Sequence, residues 1–152
     1  MKIIGIMAAT EEGVIGYKNR LPWNYPQELE HFRTTTAGHI LIMGRKTYEK
    51  TPQSAWGDRE CVVLSRSAKV INSLDACMRY IQNLNTNKTV FMIGGAEIAH
   101  LFLENNLISS FILTKIHQQY PGDAFLDLSY FDGWSSSVLK TAPEYTICML
   151  KP

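Results

Sequence analysis

The chain has 152 residues, a formal net charge of +1, and 45% hydrophobic against 19% charged residues. This length suits one folded domain, and the balanced charge argues against the strongly basic surface of a nucleic-acid-binding protein. The cysteines, Cys61, Cys77 and Cys148, are odd in number and widely spaced, so neither a disulfide framework nor a zinc knuckle is predicted. We expect buried thiols in a cytoplasmic monomer.

The apolar runs are too short for a membrane protein. The first run, residues 1–7, is soon followed by Glu11 and Glu12 instead of a small-residue cleavage site, which favours a buried first strand over a signal peptide. No later run approaches the length of a membrane-spanning helix. We therefore expect no membrane partner.

Short apolar runs alternate with helical patterns over the first two thirds of the chain. Strands are predicted at 2–9, 39–43, 61–65 and 89–93, whose nearly continuous hydrophobicity is typical of strands covered on both faces. A helix is predicted over 26–37, with Pro26 in its first position and Gly38 at its end. Ser73 can cap a second helix, and a third begins at Gly95.

The last third of the chain is predicted to contain strands without intervening helices. A strand is predicted over 108–116, followed by two strands at 134–140 and 144–150 that a turn would join into an antiparallel hairpin. Together these elements predict a single α/β domain over 1–152, with a mostly parallel twisted sheet, an antiparallel C-terminal hairpin and helices on both faces. Two longer loops, 10–24 and 117–128, are candidates for a functional role.

Two junctions have the form strand, glycine, helix. Gly44 precedes Arg45-Lys46-Thr47, and Gly94-Gly95 precedes Ala96. Helix N-termini bind phosphate through free N–H groups, and glycine allows close approach, so two facing junctions could hold a pyrophosphate. Glycines that merely turn the chain remain an alternative, because neither junction fits GxGxxG or a complete P-loop.

Basic residues surround the first junction and the end of a nearby strand. Arg45, Lys46 and Arg66 are cations, Ser65 adds a hydroxyl, and we expect no carboxylate at either place. An adenosine 2′-phosphate needs such groups, whereas a free ribose diol prefers a carboxylate. The pattern favours NADPH over NADH, with ordinary surface cations as the alternative.

One carboxylate borders an apolar helix face. Helical steps place Glu28 near Leu29 and Phe32, whereas Glu30 points to the opposite side. A carboxylate beside an apolar pocket needs a partner, and the paired N–H donors of a pterin or diaminopyrimidine would match it. The alternative is a first-turn glutamate that only favours the helix dipole.

Thr114 is the candidate neighbour of a buried carboxylate. It alternates with Ile112 and Ile116, so its hydroxyl should face the core and need a partner; a satisfied core threonine is the alternative. The four histidines have no metal-binding spacing, so no metal site is predicted.

Taken in order, the motifs resemble the dihydrofolate reductase family over essentially the whole chain. The matching segments are 13–16, 21–24, 26–32, 43–49, 64–66, 93–95, 113–114 and 122–123. The resemblance implies a pterin-reducing enzyme that transfers a hydride from NADPH and binds dihydrofolate and antifolate-type molecules.

The resemblance also implies roles for individual residues. Catalysis would involve Leu21, Trp23, Glu28 and Thr114. The substrate would contact Ile6, Met7, Glu28, Leu29, Phe32, Ile93 and Thr114, with Arg59 on the carboxylate of its glutamate tail. The cofactor would contact Ala8, Ile15, Gly16, Asn19, Gly44, Arg45, Lys46, Thr47, Leu64, Ser65, Arg66, Ile93, Gly94, Gly95, Ala96, Glu97 and Ile98. The segment 16–24 would form a mobile lid, which Asp123 would latch at Gly16.

Three features depart from the usual family pattern. Many bacterial members have aspartate where this chain has Glu28, the position after Ile98 often carries tyrosine but here is Ala99, and the stretch 51–58 contains Trp56. These departures put pocket dimensions and inhibitor affinity in doubt. A related reductase acting on a pyrimidine of riboflavin synthesis, or a non-catalytic pterin- or NADPH-binding protein, remain rival interpretations.

Overall fold

The fold is described from a computed structural model, which covers residues 2–65 and 73–152. In chain order the elements are β1 (Ile3–Thr10), β2 (Val14–Gly16), α1 (Pro26–Thr36), β3 (Ile40–Gly44), α2 (Arg45–Lys50), β4 (Glu60–Leu64), α3 (Leu74–Asn83), β5 (Val90–Met92), α4 (Ala96–Glu104), β6 (Ser110–Ile116), β7 (Ala124–Phe125), β8 (Ser135–Thr141) and β9 (Tyr145–Lys151), with 3-10 turns at Gln53–Ala55 and Leu128–Phe131.

Seven of these strands form one sheet in the order β4-β3-β5-β1-β6-β9-β8. The five strands from β4 to β6 run parallel, and β9 lies antiparallel to both β6 and β8. This confirms the predicted α/β sheet with its antiparallel C-terminal end. The parallel strands place several of their carboxyl ends along one edge, where ligands bind in open α/β sheets.

Helices cover both faces of the sheet, as predicted. Along β3, Ile40 and Ile42 join a core with α3 and α4, whereas Leu41 and Met43 point to the opposite core, which contains Phe32 of α1. We call these two sides the α3–α4 face and the α1 face. No helix in the described part of the chain is long and apolar enough to cross a membrane.

The predicted helix ends are largely confirmed. Pro26 occupies the first turn of α1, and Gly38, just beyond its end, has φ +75°. The Ser73 side chain accepts a hydrogen bond of 3.1 Å from the Ala76 N–H at the start of α3. These are local signals, which is why the sequence reveals them.

The two long loops contain strands that the sequence analysis missed. In the first loop β2 pairs antiparallel with β7 of the second. The first loop then makes a tight turn at Tyr17–Arg20, with Lys18 and Asn19 both at positive φ. Gly13 lies so close to the second loop that a Cβ there would be 2.3 Å from the Leu126 carbonyl oxygen. Strands of two or three residues have no measurable periodicity, so only their partners identify them.

Candidate functional site

Glu28 lies in the first turn of α1, on the side that faces the sheet. The Tyr25 carbonyl oxygen accepts the Glu28 and Leu29 N–H groups at 3.0 and 3.1 Å, which fixes this turn. The Glu28 carboxylate is half-buried and accepts a hydrogen bond from the hydroxyl of Thr114, which is only 2% exposed on β6. Burial raises the pKa of Glu28, and the bond from Thr114 opposes that rise.

Apolar side chains surround this carboxylate on the α1 face. Ile6 and Trp23 are buried in the same core, and Phe32 and Ile93 pack against it. The Trp23 indole N–H is buried and has no hydrogen-bond partner within the described protein. Leu29 and Leu21 are 42% and 54% exposed, so they form an open rim.

Met7 does not share this location with Ile6. Neighbouring residues of a strand point to opposite faces, and Met7 packs against the α3–α4 core. Its Cε lies 2.8 Å from the position that a Cβ on Gly94 would occupy. Met7 therefore lies beside the second glycine junction instead of on the wall that carries Ile6 and Phe32.

The two glycine junctions lie side by side at the carboxyl ends of β3 and β5. The Gly44 N–H donates to the Gly94 carbonyl oxygen at 2.9 Å. A Cβ on Gly95 would lie 3.8 Å from Thr47 Oγ1, and one on Gly44 would lie 3.1 Å from Ile98 Cγ1. The starts of α2 and α4 thus lie close together, and of the three glycines Gly95 has the most open surroundings. Backbone N–H groups and the Thr47 hydroxyl there suit a phosphate.

The cations near the first junction are exposed. Arg45 forms an ion pair of 3.7 Å with Glu49, one turn later on α2, so a carboxylate does lie near this junction although none was expected. Both side chains are more than half exposed, and such a pair contributes little stability. Lys46 is exposed and Ser65 is half-buried after β4, whereas Arg66 lies outside the described residues.

The remaining residues predicted to contact a cofactor lie on nearby elements. Ala8 is opposite Thr114 in the sheet register, and Leu64 is opposite Gly44. The others are Ile15 and Gly16 on β2, Asn19 in the tight turn, and Ala96, Glu97 and Ile98 in the first turn of α4.

Arg59 lies at the other end of α1. Its guanidinium donates from Nε to Thr36 Oγ1 at 2.9 Å, and from its two terminal nitrogens to the carbonyls of Trp56 at 2.9 Å and Arg33 at 2.7 Å. A guanidinium has five N–H donors, so these contacts leave two for a ligand. The protein contacts fix the orientation of the group and place a cation near the end of α1.

Asp123 joins the two long loops. Its carboxylate accepts the Lys18 N–H at 3.0 Å, and its own N–H donates to the Gly16 carbonyl at 3.0 Å. These bonds lie next to the β2–β7 pair. The first loop is thus held in one conformation by the second.

Several residues near the site carried no recognisable sequence signal. The Tyr25 and Tyr120 hydroxyl oxygens lie 2.6 Å apart, although 95 residues separate them in the chain. Trp56 is 7% exposed and stacks on Tyr48 with a centroid distance of 6.2 Å. Contacts between distant loops follow no local pattern.

Within the described ranges, no group of histidine, cysteine, aspartate and glutamate side chains could hold a metal ion.

Comparison with known proteins identifies relatives over most of the chain. A sequence model of the dihydrofolate reductase family matches residues 2–144. Dihydrofolate reductase of Staphylococcus haemolyticus is 31% identical over 141 residues, covering 88% of this chain and 81% of that protein. Dihydrofolate reductase type 8 of Escherichia coli is 35% identical over 143 residues, covering 85% and 82%. Dihydrofolate reductase of Mycoplasma genitalium is 37% identical over 142 residues, covering 85% and 86%.

The matched region spans both glycine junctions, Glu28 and Thr114. The chain belongs to the dihydrofolate reductase family.

Proposed function

We propose that this chain reduces dihydrofolate to tetrahydrofolate with NADPH as the hydride donor, at a site formed by Glu28 and the two glycine junctions. The observation that carries the proposal is the half-buried Glu28 carboxylate bonded to Thr114 on an otherwise apolar wall. A carboxylate in such surroundings needs a ligand with paired donors, and the pterin edge supplies them.

Glu28 would orient the pterin ring. Its two oxygens would accept from the 2-amino group and ring N3, and the Thr114 hydroxyl would hold the carboxylate in the plane of the ring. Ile6 and Phe32 would exclude water from the ring faces. Since diaminopyrimidine antifolates present the same paired donors, they would compete for this carboxylate.

The residues at the glycine junctions fit a dinucleotide cofactor. A Cβ on Gly95 would meet only Thr47 Oγ1, at 3.8 Å, so the backbone there could be approached closely by a pyrophosphate. Arg45, Lys46, Thr47, Ser65 and Arg66 would then hold the adenosine phosphates. The nicotinamide supplies the hydride for pterin C6 when the cofactor is bound.

Reduction of C6 also needs a proton at pterin N5. Glu28 would bind the opposite edge of the ring, so it would bias the protonation of the pterin electrostatically and would not deliver the proton to N5. The unpartnered Trp23 N–H is suited to hold a water beside Glu28. The first loop, held by Asp123, would close over this region and limit the entry of water.

The substrate tail would bind at the far end of α1. The two free donors of the Arg59 guanidinium suit a bidentate contact with the α-carboxylate of the glutamate tail. We further propose that the protein is a cytoplasmic monomer of one domain, with neither nucleic acid nor membrane as a partner.

A steady-state assay tests the proposal. Purified protein should oxidise NADPH only when dihydrofolate is present, with a higher kcat/KM for NADPH than for NADH. Turnover of a riboflavin-pathway pyrimidine instead of dihydrofolate would identify the related reductase, and tight binding without turnover would identify a binding protein.

A double variant tests the preference for NADPH over NADH. Replacing Arg45 and Arg66 together by alanine should reduce the preference for NADPH by roughly tenfold or more, because each charge-assisted contact contributes ~1.5–3 kcal/mol. Lys50→Ala, which removes an exposed cation from the other end of α2, is the matched control and should leave the preference unchanged. Equal use of both cofactors by the wild type would disprove the assignment of NADPH.

A further inference from the structure

A pair of tyrosines links the second loop to the start of α1. Tyr25 precedes the first helical residue, and Tyr120 lies in the loop between β6 and β7. Their hydroxyl oxygens are 2.6 Å apart in a partly buried contact. The bond to Tyr120, followed by burial, raises the pKa of Tyr25 to about 12, so this hydroxyl stays protonated throughout the neutral range.

Each tyrosine also contacts a part of the proposed site. The Tyr25 carbonyl accepts the N–H of Glu28, so the position of Tyr25 affects the position of the helical turn that carries the Glu28 carboxylate. The Tyr120 ring lies 5.7 Å from the Trp23 ring, centroid to centroid, at an angle of 56°. One hydroxyl contact therefore connects the backbone that carries Glu28 to the ring that covers Trp23.

Tyr120 is close in sequence to the contacts that hold the first loop. Gly122 is packed against Val14 so closely that a Cβ would lie 2.3 Å from Val14 Cγ1, and Asp123 holds Lys18 and Gly16. The segment 120–123 thus contacts the first loop, including Trp23, and through Tyr25 the start of α1. A shift of Tyr120 would be transmitted to both.

We propose that Tyr25 and Tyr120 are a pair of positioning residues, whose shared hydrogen bond sets the placement of Glu28 and Trp23 relative to the loop that holds the lid. Neither residue needs to touch the substrate for this role. The proposal rests on the proposed function, because it concerns how that site is held in its productive geometry. Small displacements of positioned groups have large kinetic effects.

The test uses Tyr25→Phe, Tyr120→Phe and the double variant, each of which keeps the rings and removes hydroxyls. Each single change should lower kcat/KM for dihydrofolate by about three- to tenfold, as expected for a neutral hydrogen bond. The double variant should be no worse than either single variant, because the bond is already lost. NADPH affinity should stay within about twofold of wild type.

Tyr130→Phe is the matched control. The Tyr130 hydroxyl donates to Glu104 at 2.5 Å on the opposite side of the sheet, so this change also removes one tyrosine hydrogen bond. It should leave the kinetics unchanged. Equal kinetic losses in Tyr130→Phe, multiplicative losses in the double variant, or wild-type kcat/KM in both single variants would each overturn the proposal.

A second measurement does not depend on turnover. 5-Fluorotryptophan can be incorporated at Trp23, Trp56 and Trp134. The fluorine resonance of Trp23 should shift in Tyr25→Phe, because the lost hydroxyl holds Tyr120, whose ring packs against Trp23. An unshifted resonance would show that the pair does not position Trp23. If the wild type failed to reduce dihydrofolate while this shift occurred, the proposed function would be wrong and the coupling would stand.

Discussion

The two faces of the sheet differ in the polar groups that they carry beside their apolar cores. The α3–α4 face is closed by apolar side chains such as Ile42, Ile81 and Phe102, all at most 1% exposed. The α1 face has an apolar core too, but it also carries the half-buried Glu28 and the buried Thr114. Among the described residues, three of the four buried polar side chains without a partner, Trp23, Trp56 and Tyr145, belong to this core. Buried polar groups lacking partners destabilise a fold. The difference fits the proposed function, in which the α1 face would receive the pterin.

The first prediction tests the α3–α4 face and carries the largest expected effect. Ile81→Ala on α3 should lower the free energy of unfolding by about 2–5 kcal/mol, because Ile81 is 1% exposed and the change leaves a cavity. Urea unfolding measures the loss. Ile81→Val removes one methylene and should cost only about 0.5–1.5 kcal/mol. A large drop in kcat/KM of the folded Ile81→Ala protein would contradict the division between the two faces.

The second prediction tests the α1 face. Glu28→Gln keeps the size of the side chain but turns one acceptor into a donor that opposes the pterin N–H groups. Its kcat/KM for dihydrofolate at neutral pH should fall by at least about tenfold, with part recovered at low pH, where the substrate arrives protonated. The pH–rate profile measures this, with NADPH binding as the control. Unchanged efficiency at neutral pH would make Glu28 an ordinary first-turn carboxylate.

Glu28→Gln should also change stability in the opposite direction to activity. Burial raises the pKa of Glu28 in the folded state, so ionisation disfavours folding. The free energy of unfolding of the wild type therefore falls as the pH rises from the unfolded-state pKa of Glu28 to its higher folded-state pKa. Above the folded-state pKa this loss of stability stays constant. The variant lacks this loss, so its advantage in melting temperature should grow over that interval and vanish at low pH.

The third prediction concerns Arg59. Arg59→Lys cannot form a bidentate contact, so the KM for dihydrofolate should rise by about tenfold. A pterin without the glutamate tail should bind as before. Asp58→Asn is the matched control, because Asp58 holds the Gly38 N–H in the same region without contributing a cation. Equal weakening of both ligands would mean that Arg59 only supports α1 through Thr36.

The fourth and smallest effect is expected at the junction of the loops. Asp123→Ala removes the acceptor for the Lys18 N–H and should lower kcat by about two- to fivefold, with little change in melting temperature. Asp123→Asn keeps an acceptor oxygen and should retain most of the rate. A large fall in melting temperature with unchanged kcat would show that the contact serves packing.

The sequence was informative where structure is local. The Ser73 cap, Pro26 and the continuous apolar strands were readable because each depends on a few neighbouring residues. The β2–β7 pair and the Tyr25–Tyr120 bond were not, since they join segments about 100 residues apart. Met7 and Ile6 pack in different cores, as the alternation of strand side chains requires, and the contact of both with substrate stays a prediction. The Arg45–Glu49 pair follows from local i,i+4 spacing and could have been predicted.

Helix α1 has Glu28 in its first turn, and its last residue, Thr36, accepts a hydrogen bond from Arg59. Thr36, eight residues after Glu28, holds the Arg59 guanidinium, and a rise of about 1.5 Å per residue separates these two positions by about 12 Å. In the proposed function Glu28 binds the pterin and Arg59 binds the tail, so the length of α1 would set the distance between the two ends of the substrate. Inserting one residue into α1 would rotate one end by about 100° and break the match, even if each end kept its own chemistry.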